Sequence, residues 1–253
     1  MEIQLPLTAL VGFCFALVRT TAWITICPPF NSPAVPIRVR VGIAAAVSFV
    51  IADELGGEAT SLALGPFLLA LLTQVLAGLA LGFTVYVLFS AIQAAGDLID
   101  LQVGFSLGEV LDPLSGTSAA PTGRFHQLVG LAIVFAINGH ILVMRGYLRS
   151  VEAVPSGRVD MAVLGQELTG ALSSFLVAAI EIGLPVLTAL FCTEVALGLL
   201  GKAAPQLNIL VLGFAAKTIV ALLLLGLTVV MLPGATESLL VDGVRSAARA
   251  FGG

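Results

Sequence analysis

Six long apolar runs, separated by proline, glycine and charged residues, dominate the chain. The first covers about Leu5 to Phe30 and is closed by Pro28-Pro29 and the loop Asn31-Ser32-Pro33-Ala34-Val35-Pro36. The second, about Val39 to Ala52, falls short of the ~17–25 residues that cross a bilayer as a helix. The third runs from about Leu62 to Ala95, the fourth from about Phe125 to Leu148, and the fifth from about Leu168 to Leu200 with Pro185 inside it. The sixth, about Ile209 to Leu232, ends at Pro233-Gly234. Beyond it, Thr236-Glu237 opens a short amphipathic helix with Leu240, Val244, Ala247 and Phe251 on one face and Arg245 and Arg249 toward its end. The pattern predicts an all-α fold of hydrophobic helical hairpins, about six long apolar helices plus amphipathic segments.

These lengths are uneven. Two runs reach ~50 Å as straight helices at 1.5 Å per residue, well beyond one bilayer crossing. Such helices kink, protrude, or pack where lipid thickness does not constrain them.

Composition sharpens the picture. Of 253 residues, 58% are hydrophobic and 10% charged, with a mean hydropathy of +1.10. A soluble domain carries roughly 25% charged residues, so these apolar side chains face lipid or neighbouring protein. The net charge of −4 is scattered, and no basic block points to nucleic acid. Cys14, Cys27 and Cys192 lie in apolar runs without CxxC spacing and read as buried small hydrophobes. The opening Met1-Glu2-Ile3-Gln4 lacks a basic segment, so the first run is expected to be retained as a helix.

Charge balance argues against a simple six-span topology. If every run crossed, one side would receive Arg38, Arg40, Arg124 and Lys202, and the other Arg145, Arg149, Arg158, Arg245 and Arg249. The positive-inside rule cannot orient that division, and a second run that does not cross resolves most of it. Four charges fall within the runs: Arg19, Glu181, Glu194 and Lys217. A charge at the bilayer centre costs ~2.5–3.5 kcal/mol, so each is expected to be paired or to face protein or water. Gly78 and Gly82 in the third run have the spacing that permits close helix approach. Helix–helix packing is the expected role of these features.

The stretch 93–124 is more polar than its flanks. Gln93, Asp97 and Asp100 share one helical face, and Leu98, Leu101 and Phe105 another, which predicts an amphipathic helix lying on a surface or folded into a cavity. Asp112-Pro113-Leu114-Ser115-Gly116 through Pro121 is turn chemistry.

Catalysis finds little support. Gly104-Phe105-Ser106-Leu107-Gly108 matches GxSxG, but a nucleophile elbow needs a strand before it, and the preceding residues are helical in pattern. Gly201-Lys202 lacks the remainder of a phosphate loop. His126 and His140 have no metal-ligand spacing and read as hydrogen-bonded packing residues. No enzyme, metal or cofactor is expected.

Several stretches together resemble the FliR family of flagellar export-apparatus proteins and its counterparts in virulence type III secretion. Pro29-Phe30-Asn31-Ser32-Pro33-Ala34-Val35-Pro36-Ile37-Arg38-Val39-Arg40 is similar to the family's PxFGxxxxPxxVR element, with Asn31 where glycine is usual. Ala95-Gly96-Asp97-Leu98-Ile99 with Gln102-Val103-Gly104, then Asp112-Pro113-Leu114-Ser115-Gly116, resembles AGxxIxxQxG…DPxxG. Asn138-Gly139-His140 matches the NGH segment. Ala204-Pro205-Gln206-Leu207-Asn208 with Gly213-Phe214 and Lys217 resembles APQLNxxxxGFxxK, without the proline often found before the lysine.

The resemblance implies a structural and gating subunit of a flagellar type III export gate in the bacterial inner membrane, at the flagellar basal body. FliP-like and FliQ-like subunits would be its immediate partners, FlhB-like and FlhA-like components its neighbours, and unfolded export substrates its cargo. It also implies a FliP-like region over 1–161, a FliQ-like hairpin over 162–235 and the short terminal helix over 236–253. The stretch of about 93–124 would supply the amphipathic helix and a plug, with Phe105, Asp112, Pro113, Ser115, Gly116 and Gly123 lining the lumen. Pro205, Gln206 and Asn208 would form the hairpin turn. The equivalent subunit of a virulence system is the nearer alternative. A secondary transporter would need inverted repeats, which are not evident, and an intramembrane serine hydrolase would need Ser106 to be reactive.

Overall fold

The computed structural model describes residues 7–33, 35–56, 63–105, 120–155 and 160–250. Among these the secondary structure is helical: α1 Leu7–Ile26, α2 Ile37–Gly56, α3 Leu64–Val103, α4 Pro121–Ala136, α5 Gly139–Ala153, α6 Met161–Ala203 and α7 Ile209–Ala250. On length and composition α1, α3, α6 and α7 can each cross a membrane, and α4 with α5 forms a bent pair that adds a fifth span if counted as one. The helices α3, α6 and α7 hold 40, 43 and 42 residues. Each exceeds the ~30 Å of hydrocarbon at 1.5 Å per residue.

Local chemistry sets several helix ends. Asp160 Oδ1 accepts the amides of Ala162 and Val163 at the start of α6. Asn208 Oδ1 accepts that of Val211 at the start of α7. Before α2, the Arg40 side chain donates to the carbonyls of Asn31, Ser32 and Val35, gathering the preceding loop around one guanidinium.

Four expectations from the apolar pattern are corrected. The second run is a 20-residue helix, because α2 takes in Arg38 and Arg40 at one end and Asp53 and Glu54 at the other. It is not among the helices apolar enough to cross. The third run and the polar stretch after it form one continuous α3. The fourth run is broken at Ile137-Asn138, where Asn138 takes a left-handed conformation at φ 57° that asparagine tolerates better than most residues. The separate terminal helix does not exist: α7 continues through Pro233 to Ala250. Burial of Leu239, Leu240, Ala247 and Ala250 offsets the hydrogen bond that Pro233 removes.

The chain divides into two compact units. Unit 1 comprises Met1–Phe89, Asn138–Ser173 and Leu239–Gly253. Its α1 and α3 approach closely at Gly78 and Gly82: a Cβ on Gly78 would meet the Arg19 carbonyl, and one on Gly82 would lie 3.0 Å from that of Trp23. The centre of the unit is polar. Arg19 is fully buried, and its guanidinium donates to the Ser150 and Val154 carbonyls at 2.9 Å each, and to Gln74 Oε1 at 3.3 Å. Gln74 Nε2 in turn donates to the Pro155 carbonyl at 2.7 Å. The carbonyl end of α5 is thus met by a cation from α1, which adds a second donor to the Ser150 carbonyl beside the Val154 amide. Tyr147 joins the same seam, hydrogen-bonded to Thr20 at 2.7 Å and stacked on Trp23 at 4.4 Å.

Unit 2 comprises Ser90–Ile137 and Ser174–Ser238. Its apolar centre is Ile99, Val103, Val186, Leu190 and Ala221, with Phe105, Leu187, Val220 and Leu224 packed around them.

Two outcomes follow. Arg19→Met removes the donor to the Val154 carbonyl and leaves the Ser150 carbonyl with the Val154 amide alone, at about 1–3 kcal/mol for an acceptor left unsatisfied. Thermal unfolding in detergent should show a lower midpoint, with Arg19→Lys recovering part of the loss because it keeps the charge without the fork. Because α2 is not among the helices apolar enough to cross, protease tags inserted near Ser32 and near Gly57 are expected to be cut from the same face of the membrane.

Candidate functional site

The candidate site lies in unit 2, where the end of α3 meets the start of α4. Helix α4 opens with Ala120-Pro121, and Ala120 carries no oxygen that could cap the free amides of the first turn. Asp100, one turn before the end of α3, supplies the missing acceptor. Its carboxylate accepts from the Thr122 amide at 2.9 and 3.2 Å and from the Gly123 amide at 3.0 Å. Asp100 is fully buried, so its carboxyl oxygens sit against the positive end of a helix with water excluded.

Glycine makes this approach possible. A Cβ on Gly96 would stand 2.6 Å from the Gly123 Cα, and one on Gly123 would run into the Asp97 carboxylate. Behind Asp100, α3 ends at Gly104, whose φ of 103° suits glycine, and the amides of Gly104 and Phe105 both return to the Asp100 carbonyl at 3.0 Å.

A second charge group closes the same helix end. Lys217 Nζ donates to the Gln102 carbonyl at 3.1 Å and lies 3.7 Å from Glu194 Oε2. Gln102 Nε2 donates to the same carboxylate oxygen at 2.9 Å. One turn into α4, both ring nitrogens of the buried His126 are engaged, Nδ1 with the Thr122 carbonyl at 2.8 Å and Nε2 with Thr228 Oγ1 at 3.0 Å.

Against this geometry the sequence-nominated residues fall as follows. Phe105 lies just past α3 and meets Phe214 edge-on at 5.8 Å, while Gly123 is buried in the first turn of α4. Asp112, Pro113, Ser115, Gly116 and Ser106 lie outside the described residues. Glu194 and Lys217 are brought together, whereas Arg19 belongs to the network of unit 1. Glu181 is exposed on α6 with no hydrogen bond or ion pair among the described residues. Pro205, Gln206 and Asn208 occupy the exposed turn between α6 and α7. Among the described residues no group of His, Cys, Asp and Glu could hold a metal ion.

Of the two placements expected for the amphipathic stretch 93–105, on a surface or folded into a cavity, the burial of Asp100 fits the second. Asp100 on the polar face is buried, and Leu101 on the apolar face is 65% exposed. A helix resting on a membrane surface would turn Asp100 to water. Asp100, Gln102 and Thr228 were not singled out as site residues. The available signal was a helix start at Ala120-Pro121 with no local capping side chain, which requires an acceptor from elsewhere.

The model for bacterial export proteins, family 1, matches residues 10–242. The chain belongs to this family. As an export protein it is similar to the flagellar biosynthetic protein FliR of Pectobacterium carotovorum subsp. carotovorum, 29% identical over 230 residues, which is 90% of this chain and 87% of that one. It is 32% identical to FliR of Escherichia coli K12 over 205 residues, 80% of this chain and 78% of the relative. The Yop proteins translocation protein T of Yersinia pestis is 28% identical over 155 residues, 60% of this chain and 59% of the relative. In this export protein, the AGDLIDLQVG stretch that carried the resemblance is the segment that caps α4 and terminates α3.

Asp100→Ala should free the Thr122 and Gly123 amides and cost about 1–3 kcal/mol. Hydrogen exchange at those two amides should accelerate strongly, while Asp100→Asn, which keeps one acceptor oxygen, should show an intermediate rate.

Proposed function

We propose that this export protein is a structural and gating subunit of a flagellar type III protein export gate, seated in the bacterial inner membrane at the flagellar basal body. The observation that carries the reading is the extent of similarity: proteins named for flagellar biosynthesis align over 80–90% of this chain, against 60% for the translocation protein of a virulence system. The long apolar helices support placement in a membrane.

In this reading the partners are FliP-like and FliQ-like subunits, with FlhB-like and FlhA-like components alongside, and the cargo is unfolded flagellar protein. Residues 1–161 form a FliP-like region and 162–235 a FliQ-like hairpin turning at 203–208. The apolar helices build one sector of a conduit wall. The stretch from Phe105 to Gly123 closes the lumen until substrate or partner contacts displace it, and its small residues keep each closing contact weak. The anchoring of Gly123 to Asp100 and of Phe105 against Phe214 supports this role, because both ends of that stretch are then fixed to one packed unit. The role is non-enzymatic: the chain contributes shape and closure.

Two measurements test the proposal. Deleting the gene should remove flagellar filament protein from the culture medium, and the tagged chain should co-purify with FliP-like and FliQ-like subunits from mild detergent; a stable lone monomer would contradict it. Deleting residues 114–120 should raise small-ion leakage through the assembled complex, and unchanged leakage would remove the closing role.

A further inference from the structure

Helix α6 carries two carboxylates in its apolar length, and they are treated differently. Glu194 is paired with Lys217 and Gln102. Glu181 is exposed and has no hydrogen bond or ion pair among the described residues. Its surroundings are apolar in both directions along the helix. Leu176, Val177 and Ile180 on one side, and Leu184 on the other, are each 50–59% exposed. The opposite face of the same helix, with Ile182, Val186 and Leu190, is buried.

The uncharged stretches flanking Glu181, residues 168–180 and 182–193, are each about 20 Å long at 1.5 Å per residue. Neither spans ~30 Å of hydrocarbon alone, so a crossing placed between Glu167 and Glu194 takes Glu181 with it. Lipid against that carboxylate would cost ~2.5–3.5 kcal/mol. Water against it would wet the apolar residues around it as well. A protein surface that is apolar and carries one cation satisfies both constraints.

We propose that the exposed face of α6 around Glu181 docks a helix of a different membrane subunit, apolar along the contact and carrying a lysine or arginine opposite this carboxylate. The helices of a second copy that are long enough to cross alone offer no free cation at mid-helix. In the four helices long enough to cross alone, the cations are Arg19 and Lys217, both engaged, and Lys202, Arg245 and Arg249, which sit in the closing turns. The inference deepens the assembly reading and rests on it only for the existence of sister subunits.

The test is photocrosslinking in native membranes, with p-benzoylphenylalanine replacing Leu184 in the full-length chain. The expected product is an adduct with another membrane protein, mapping within one helical turn of a lysine or arginine. Glu181→Lys should reduce its yield about three- to tenfold, the range expected for a polar interhelical contact, and Glu181→Gln should reduce it less. Reversing the mapped cation to glutamate should restore the yield in the Glu181→Lys chain. An adduct with lipid alone, with a second copy, or with a helix lacking a cation at that level overturns the inference. So does an adduct whose yield is unchanged by Glu181→Lys. Where Glu181→Lys fails to accumulate, the adduct site and the Glu181→Gln yield decide alone. These outcomes are distinct from failure of the assembly reading, which is read from co-purification of FliP-like and FliQ-like subunits.

Discussion

Helix ends are the costly parts of an apolar helical protein, because their amides and carbonyls have no partner within the helix and no water to turn to. This chain meets three of them with buried or half-buried charge of matching sign. Arg19 sits on the carbonyl end of α5, Asp100 on the amide end of α4, and Lys217 on the carbonyl end of α3. Each charge answers the polarity of the helix end it meets. Each would be expensive to bury if the helix end were absent, and each helix end would be expensive to bury without the charge. The remaining contacts, including the close glycine approaches of Gly78 and Gly96, bring the helices near enough for this mutual satisfaction.

Much of this was legible from residue order. Long uncharged runs require helices when the chain has too few charged residues to cover a soluble surface, so the all-α class follows directly from pattern, while the turn at 204–208 was implied by the family resemblance. The rare charges in those runs marked Arg19, Glu194 and Lys217 as packing residues, but their partners lie 55 to 135 positions away, or 23 for Glu194 and Lys217, and no local periodicity encodes such pairings. Helix boundaries failed where tertiary burial outweighed local signals. Proline at 233 reads as a stop, yet the residues beyond it have an apolar face to bury, and the helix continues. Asn138, in contrast, breaks a run whose hydropathy alone predicts one helix. Asp100 looked like part of a solvent-facing stripe because a capping role across 22 residues leaves no mark on periodicity.

The two halves of the account support one another without being the same claim. Similarity to flagellar biosynthetic proteins across most of the chain supplies the export context. The geometry adds which side chains do the holding: Asp100 fixes the start of α4, and Lys217 with Glu194 fixes the end of α3. Glu181, unlike Arg19, Glu194 and Lys217, has no hydrogen bond or ion pair among the described residues, which is what the proposed docking requires.

The most direct test of the helix-end account is a density map of the chain within its assembled complex in lipid, at a resolution that shows carboxylates. The account predicts Asp100 within hydrogen-bonding distance of the Thr122 and Gly123 amides, and Lys217 beside the Gln102 carbonyl, with no water between them. A map in which those side chains turn away and the ends of α3 and α4 are hydrated or capped by other residues would contradict it.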